Sequence, residues 1–163
     1  MTGLSQHEQA SICWVCMEQK AHGILKKAVA SELRKEGYEL FFEPRYSPFS
    51  RLEWSAYRPD IMGLASGRDE LRLVFVECET SPRLSRMREK TAKIQLSLSL
   101  QGRLDERHSF RFLLVIPFGT LSRVLGADLR RLWEIWIAND RAQIVTKIKT
   151  TSTRQLASIS MHG

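Results

Sequence analysis

The chain has 163 residues, of which 43% are hydrophobic and 26% charged, a composition typical of folded globular domains and not of disordered chains. Lysine and arginine number 25 against 18 aspartates and glutamates, a formal net charge of +7, which favours a polyanionic partner such as nucleic acid. The longest apolar stretch, 112–118, is too short to cross a bilayer, so we expect no membrane-spanning segment.

Chain length and cysteine usage set the expected organisation and location. The length predicts a single domain over residues 1–150, with 1–20 as a helical extension and a Ser/Thr-rich flexible tail over 151–163. The N-terminus lacks the basic and apolar pattern of a secretory signal. Three cysteines, Cys13, Cys16 and Cys78, fit no disulfide framework. We therefore expect a cytoplasmic protein.

The first half of the chain predicts a helical region followed by a meander of strands. Apolar residues recur at helical spacing over 9–35, as one helix or two, and Gly37 stands where a helix C-cap is expected. Aromatic and β-branched residues over 38–45, 57–65 and 71–80 predict three strands separated by turn residues.

The second half predicts helices and strands in alternation. After Pro82, residues at helical spacing from Leu84 to Gln101, most of them apolar, form the stripe of an amphipathic helix, closed by Gly102. A strand over 110–117, a helix over 121–133 and strands over 134–138 and 143–149 follow. The predicted order is α-β-β-β-α-β-α-β-β, an α/β fold with a central mixed β-sheet flanked by helices.

Three acidic residues stand out at the predicted strands. Asp60 lies in the second strand, and Glu77 and Glu79 flank Cys78 at the end of the third. Because strand side chains alternate between faces, Glu77 and Glu79 point to one face. Two carboxylates on a face that packs against a helix are costly unless a cation neutralises them, and Mg²⁺ is suited to that task. The alternative is that these acids are solvated at the ends of strands.

The order of these motifs resembles the PD-(D/E)XK nuclease superfamily, which includes restriction endonucleases and archaeal Holliday-junction resolvases. The resemblance rests on Pro59-Asp60, then Glu77-Cys78-Glu79 on the next strand, then a helix, and covers about residues 21–117. It is similar also to plasmid replication-relaxation proteins, whose helical His, Arg-Pro-Asp strand, acidic strand end and helical Lys match His22, Arg58-Pro59-Asp60, Glu77-Cys78-Glu79-Thr80 and Lys90. The resemblance implies a restriction-endonuclease-like core.

The resemblance also implies a metal site with one departure from the family pattern. Asp60, Glu77 and the backbone carbonyl of Cys78 would hold Mg²⁺ or Mn²⁺. Glu79 stands where the family places a lysine. Either Lys90 or Lys93 of the following helix replaces that lysine, or Glu79 itself binds a second metal ion or acts as a base.

Other polar residues are candidates for supporting roles. His22 and Glu43, and on the first helix Glu32 or Glu18, are candidate outer-shell residues of the metal site. Three arginines, Arg83, Arg86 and Arg88, are candidate contacts to DNA phosphates. A solvated basic helix face is the alternative.

The first helix also carries a pattern of potential zinc ligands. His7, Cys13, Cys16 and His22 give His-x5-Cys-x2-Cys-x5-His, which matches no common zinc module. Cysteines at helical spacing usually pack as small hydrophobic residues. We therefore do not expect zinc.

Together these observations predict a magnesium-dependent DNA endonuclease acting in DNA replication, recombination or repair. Cleavage of both strands of a duplex with one site per chain would call for a homodimer. One alternative is a catalytically weakened DNA-binding protein of the same fold, in plasmid or viral replication control. Another is a structural partner of a nucleic-acid enzyme.

Overall fold

A computed structural model describes residues 6–45, 57–68, 70–100, 108–125 and 129–150. Its elements, in chain order, are helix α1 (Gln6–Lys35), strands β1 (Glu39–Phe42), β2 (Ile61–Ser66) and β3 (Leu71–Cys78), helix α2 (Leu84–Leu100), and strands β4 (His108–Pro117), β5 (Trp133–Ala138) and β6 (Ile144–Ile148). None of the described helices is long and apolar enough to cross a membrane.

One mixed sheet joins the strands. Over the described residues it has six strands in the order β1-β2-β3-β4-β5-β6. The β3–β4 and β4–β5 pairs are parallel, and the other neighbouring pairs are antiparallel. Helix α2 makes the crossover that the parallel β3–β4 pair requires. The α/β prediction is thereby confirmed, and the arrangement is consistent with a restriction-endonuclease-like core.

Helix α1 is continuous and ends as its sequence predicts. Gly37 adopts a φ of 86°, a conformation that glycine enters without steric cost. The Tyr38 N–H donates to the Leu33 carbonyl at 3.0 Å, and the Gly37 N–H donates to the Arg34 carbonyl at 3.1 Å. This pair of bonds is a Schellman motif, which turns the chain from α1 into β1.

The sheet is buried on both faces, one under each helix. Leu25, Val29 and Leu33 of α1 belong to one core cluster, together with Val74, Val76 and Cys78 of β3. Met87 and Ile94 of α2 belong to the other, together with Leu73 and Phe75. Glu77 follows Leu73 and Phe75 at a spacing of two, so the alternation directs it toward the α2 layer and Cys78 toward the α1 layer.

The predicted helix over 121–133 is wrong. The described part of this segment forms two short 3₁₀ turns, Leu121–Arg123 and Leu129–Arg131, and β5 begins at Trp133. Val124, Leu129 and Trp133 are all buried in the α2-side core. The apolar residues of this segment therefore cover the sheet although the backbone between the two turns is not an α-helix. Their spacing in the sequence is similar to that of an amphipathic helix.

Several other predicted boundaries shift by a few residues. Asp60 precedes β2, and Glu79 follows β3. The predicted helix end at Gly102 and the tail over 151–163 lie outside the described residues.

A charged network ties the end of α1 to the far half of the sheet. Arg111 of β4 donates to Glu36 of α1 at 2.7 Å and to Glu134 of β5 at 3.2 Å. Lys147 of β6 donates to Glu36 at 3.2 Å and lies 4.0 Å from the Trp136 ring centroid. Burial raises the pKa of Glu36, but Arg111 and Lys147 outweigh it and the pKa is lowered.

We predict that Glu36→Gln lowers the free energy of unfolding by about 1–2 kcal/mol at pH 7, since the pair is half-buried. Because the folded-state pKa is lowered, this stabilisation is present above the ordinary carboxyl value of 4.5 and is lost as pH falls through the folded-state pKa. Urea unfolding at pH 7 and in acid measures it. Glu39→Gln, an exposed change on β1, is the control, and an equal effect of both variants would contradict the network's role.

Candidate active site

Two carboxylates are buried at the end of β3. Glu77 is 3% exposed and Glu79 is 6% exposed. The parallel pairing with β4 continues past the strand, because the Glu79 N–H donates to the Val115 carbonyl at 2.9 Å. The backbone therefore holds both side chains under α2, where neither is solvated.

Lys90 of α2 meets both carboxylates. Its ammonium donates to Glu77 and, at 2.5 Å, to Glu79 Oε1. Burial lowers the pKa of Lys90, but the charges and hydrogen bonds of the two glutamates outweigh it, so the pKa is raised. Lys93, the other candidate, pairs with exposed Glu89 at 2.7 Å instead. Of the two lysines, the structure brings Lys90 to the acids.

Burial is the main influence on the protonation of Glu77. It raises the pKa of Glu77 to about 7, against the opposing charge of Lys90, and the nearby Asp60 carboxylate adds to the rise. The buried Tyr57 side chain interacts with the same carboxylate, and burial followed by the Glu77 charge raises the pKa of Tyr57 well above 10.0. Glu77 thus lies where added positive charge is strongly favoured.

Asp60 is held against the backbone beside Glu77. The Cys78 N–H donates to Asp60 Oδ2 at 2.8 Å, and the Asp60 N–H donates to the Val76 carbonyl at 3.0 Å. The first bond places the Asp60 carboxylate at the peptide that links Glu77 to Cys78. Residues from two neighbouring antiparallel strands therefore meet at one edge of the sheet, as the motif spacing predicts.

Helix α1 supplies two further groups to Asp60. His22 Nε2 lies 3.3 Å from Asp60 Oδ2, and Lys26 Nζ lies 3.7 Å from Oδ1. Lys26 also donates to Glu43 Oε1 at 2.5 Å. Burial lowers the pKa of Lys26, yet Glu43 and Asp60 raise it overall. Glu43 therefore reaches the site through Lys26.

Among the described residues, Lys26 and Tyr57 are neighbours of the acids that sequence reasoning missed. For Lys26 a signal existed, because it stands four residues after His22 and so shares its face of α1. Tyr57 directly precedes the Arg58-Pro59-Asp60 motif, but nothing in its pattern distinguishes it from a core aromatic residue.

The remaining candidates divide between the site and other surfaces. Arg86 lies beside the acids, with Nε 3.7 Å from Glu79 Oε1. Arg88 is exposed two residues further on, where a helical side chain does not face the same way. Glu32 pairs with Lys35 and Lys147 away from the acids, and Glu18 is exposed on α1.

The zinc pattern stays untested. Cys16 is exposed and Cys78 is buried, while the side chains of His7 and Cys13 lie outside what the structure describes.

The donor set fits an open magnesium site better than a closed protein cage. Among the described residues, no group of three or more His, Cys, Asp or Glu side chains is placed to hold a metal ion together. Mg²⁺ is usually bound through one or two carboxylates, with waters and substrate phosphate completing its shell. Asp60 and Glu77 are the candidate pair; Glu77 and Glu79 both accept from Lys90, and Glu79 also lies near Arg86.

Comparisons with known proteins find solved structures at low sequence identity. No protein-family model and no curated protein matches the chain. An XisH family protein from Nostoc punctiforme PCC 73102 is 16% identical, with a TM-score of 0.45 over 78% of this chain and 98% of the other. An fdxN element excision controlling factor protein from Anabaena variabilis is 12% identical, with a TM-score of 0.45 over 78% and 97% of the two chains.

We predict that Lys90→Met destabilises the protein by about 3 kcal/mol, because it leaves two buried carboxylates without their cation. Adding Glu77→Gln to this variant removes one of those charges and recovers part of the loss. Urea unfolding of the metal-free protein measures both effects. Lys93→Met is the matched control, since Lys93 is exposed on the same helix, and equal loss in the two lysine variants would show that the acids do not depend on Lys90.

Proposed function

We propose that this chain is a metal-dependent DNA endonuclease of the PD-(D/E)XK type, which hydrolyses phosphodiester bonds. One observation carries the proposal. The ammonium of Lys90 lies between Glu77 and Glu79, while Asp60 accepts a hydrogen bond from the peptide next to Glu77. Two acids from neighbouring strands and a lysine from the next helix thus converge at one edge of the sheet.

Asp60, Glu77 and the backbone carbonyl of Cys78 are the groups that would hold Mg²⁺ or Mn²⁺. Bound there, the ion would lower the pKa of a water molecule and stabilise charge on the scissile phosphate. The Cys78 N–H and His22 fix the orientation of the Asp60 carboxylate. Glu77, which is 3% exposed, offers its charge in surroundings where electrostatic interactions are strong.

Lys90 supplies the positive charge that PD-(D/E)XK nucleases take from a lysine on the strand, at the position of Glu79. An ammonium beside the reacting phosphate stabilises negative charge as it develops and can orient a water molecule. Glu79, at the position of the missing lysine, holds Lys90 at 2.5 Å. In this proposal Glu79 is a positioning residue that compensates for the departure from the family pattern.

A basic surface next to the acids supports DNA as the substrate. The net charge is +7, and Arg86 lies within 3.7 Å of Glu79. One arginine guanidinium group can donate two hydrogen bonds to the oxygens of one phosphate. Phosphates flanking the scissile bond would lie along this part of α2.

The second candidate is a DNA-binding protein that has lost cleavage. It is favoured by the engagement of Lys90 with two carboxylates at once, which leaves less of its charge for a phosphate. This candidate shares the fold and the basic surface but predicts no metal-dependent products.

We predict that Asp60→Asn and Glu77→Gln each lower Mg²⁺-dependent cleavage by about a hundredfold or more, because each removes a metal-binding carboxylate. Lys90→Ala should lower it by about 10²–10³-fold. Labelled single-stranded, duplex and four-way-junction DNA, incubated with Mg²⁺, Mn²⁺ or EDTA, provide the assay.

Controls separate catalysis from binding and folding. Lys149→Ala and Glu39→Gln remove the same charges at exposed positions outside α2 and the acidic site and should leave cleavage unchanged. DNA binding by Asp60→Asn and Glu77→Gln should be retained or tighter, since negative charge is removed near phosphate. Binding of every substrate without cleavage by the wild type would support the second candidate.

A further inference from the structure

A groove opens directly beside the acidic site. It encloses about 960 Å³ between the middle of α1 and the start of α2. Its lining includes Thr80, the residue after Glu79, and Arg86, whose Nε lies 3.7 Å from Glu79. On the α1 side it includes Ala21, the residue before His22. The groove is therefore continuous with the edge where the acids converge.

The two walls of the groove have different chemistry. The α2 wall is lined by Arg83 and Arg86, together with Thr80 just before the helix. Over the described part of the chain, Arg83 has no ion-pair partner. The α1 wall is lined by Met17, which is 55% exposed, by Ala21 and by Glu18. A basic wall opposite a wall with apolar side chains matches a nucleotide strand, with phosphates on the basic side and sugars and bases on the other.

The lining of the groove favours one strand over two. Its volume falls near the upper end of the range for small-ligand pockets, roughly 300–1,000 Å³, which suits a short segment of one strand. In a duplex the faces of the bases are stacked on one another, whereas an unpaired strand can place them against Met17 and Ala21.

We propose that this groove binds single-stranded DNA flanking the scissile phosphate, so that the preferred substrate is a single strand or a duplex with an unpaired arm. The inference rests on the proposed nuclease function for the location of the scissile bond. It adds the substrate class, which the acids alone do not define.

The carboxylates of the groove set the strand's orientation. Glu89 is paired with Lys93 at 2.7 Å, so the charge of the α2 wall stays positive. Glu18 on the α1 wall has no ion-pair partner among the residues that the structure describes. Phosphates therefore run along the α2 wall, away from Glu18, and removal of the Glu18 charge should favour binding.

Binding of a labelled single strand in EDTA, followed by fluorescence anisotropy over a range of salt concentrations, tests the proposal. Arg83→Gln should weaken binding about tenfold and reduce the slope of log affinity against log salt by about 0.7. Glu18→Gln should tighten binding about twofold to threefold. Arg68→Gln, the same charge change in the β2–β3 turn at the opposite end of the sheet, should change neither.

Cleavage of matched substrates separates this inference from the function on which it rests. We expect a duplex with an unpaired arm to be cut at least tenfold faster than the blunt duplex, and Arg83→Gln to remove most of the difference. Equal cutting of both substrates, with no effect of Arg83→Gln, would overturn the groove inference but would still support the proposed nuclease function. Arg83-dependent binding without cutting would support the groove and contradict the nuclease.

Discussion

Two buried carboxylates sharing one ammonium are the constraint around which this molecule is arranged. Glu77 and Glu79 are both less than a tenth exposed, and burying either charge alone would be costly. The ammonium of Lys90 compensates for both charges, but only when α2 packs on β3 in one rotational orientation about its axis. Met87 and Ile94, three residues before and four after Lys90, are buried in the core beneath. The packing of α2 and the geometry of the site are therefore set by the same helix face.

The antiparallel pair β2–β3 provides the other half of the arrangement. Ile61 pairs with Val76, which brings the preceding residue, Asp60, beside Glu77 at the strand end. Lys26 then links Asp60 to Glu43, so α1 and β1 are joined to the same cluster. Negative charge from three elements is balanced by lysines from both helices, and the site lies between the two layers that cover the sheet.

Much of this arrangement follows from the sequence. Alternation within 71–80 predicts that Glu77 and Glu79 share a face with Cys78 on the other, and the motif order predicts that Asp60 reaches Glu77. The sequence left Lys90 and Lys93 as alternatives, and the structure distinguishes them, because Lys90 contacts the two acids while Lys93 pairs with Glu89.

The sequence could not supply what depends on packing between distant elements. The contact of Lys26 with Glu43 joins residues 17 apart, and no local pattern specifies where β1 ends relative to α1. The segment 121–133 was predicted as a helix because its apolar spacing resembled one, yet burial of Val124 and Trp133 against the sheet decided its path. Likewise the groove depends on the approach of α1 to the β3–α2 connection, which periodicity does not encode.

The proposed function requires that Asp60 and Glu77 form a metal site next to Lys90. Anomalous diffraction from crystals soaked with Mn²⁺ would locate that site. We expect an ion in contact with the Asp60 and Glu77 carboxylates, with Lys90 still held by Glu79. A crystal in which Mn²⁺ binds elsewhere, while Lys90 continues to bridge Glu77 and Glu79, would contradict it.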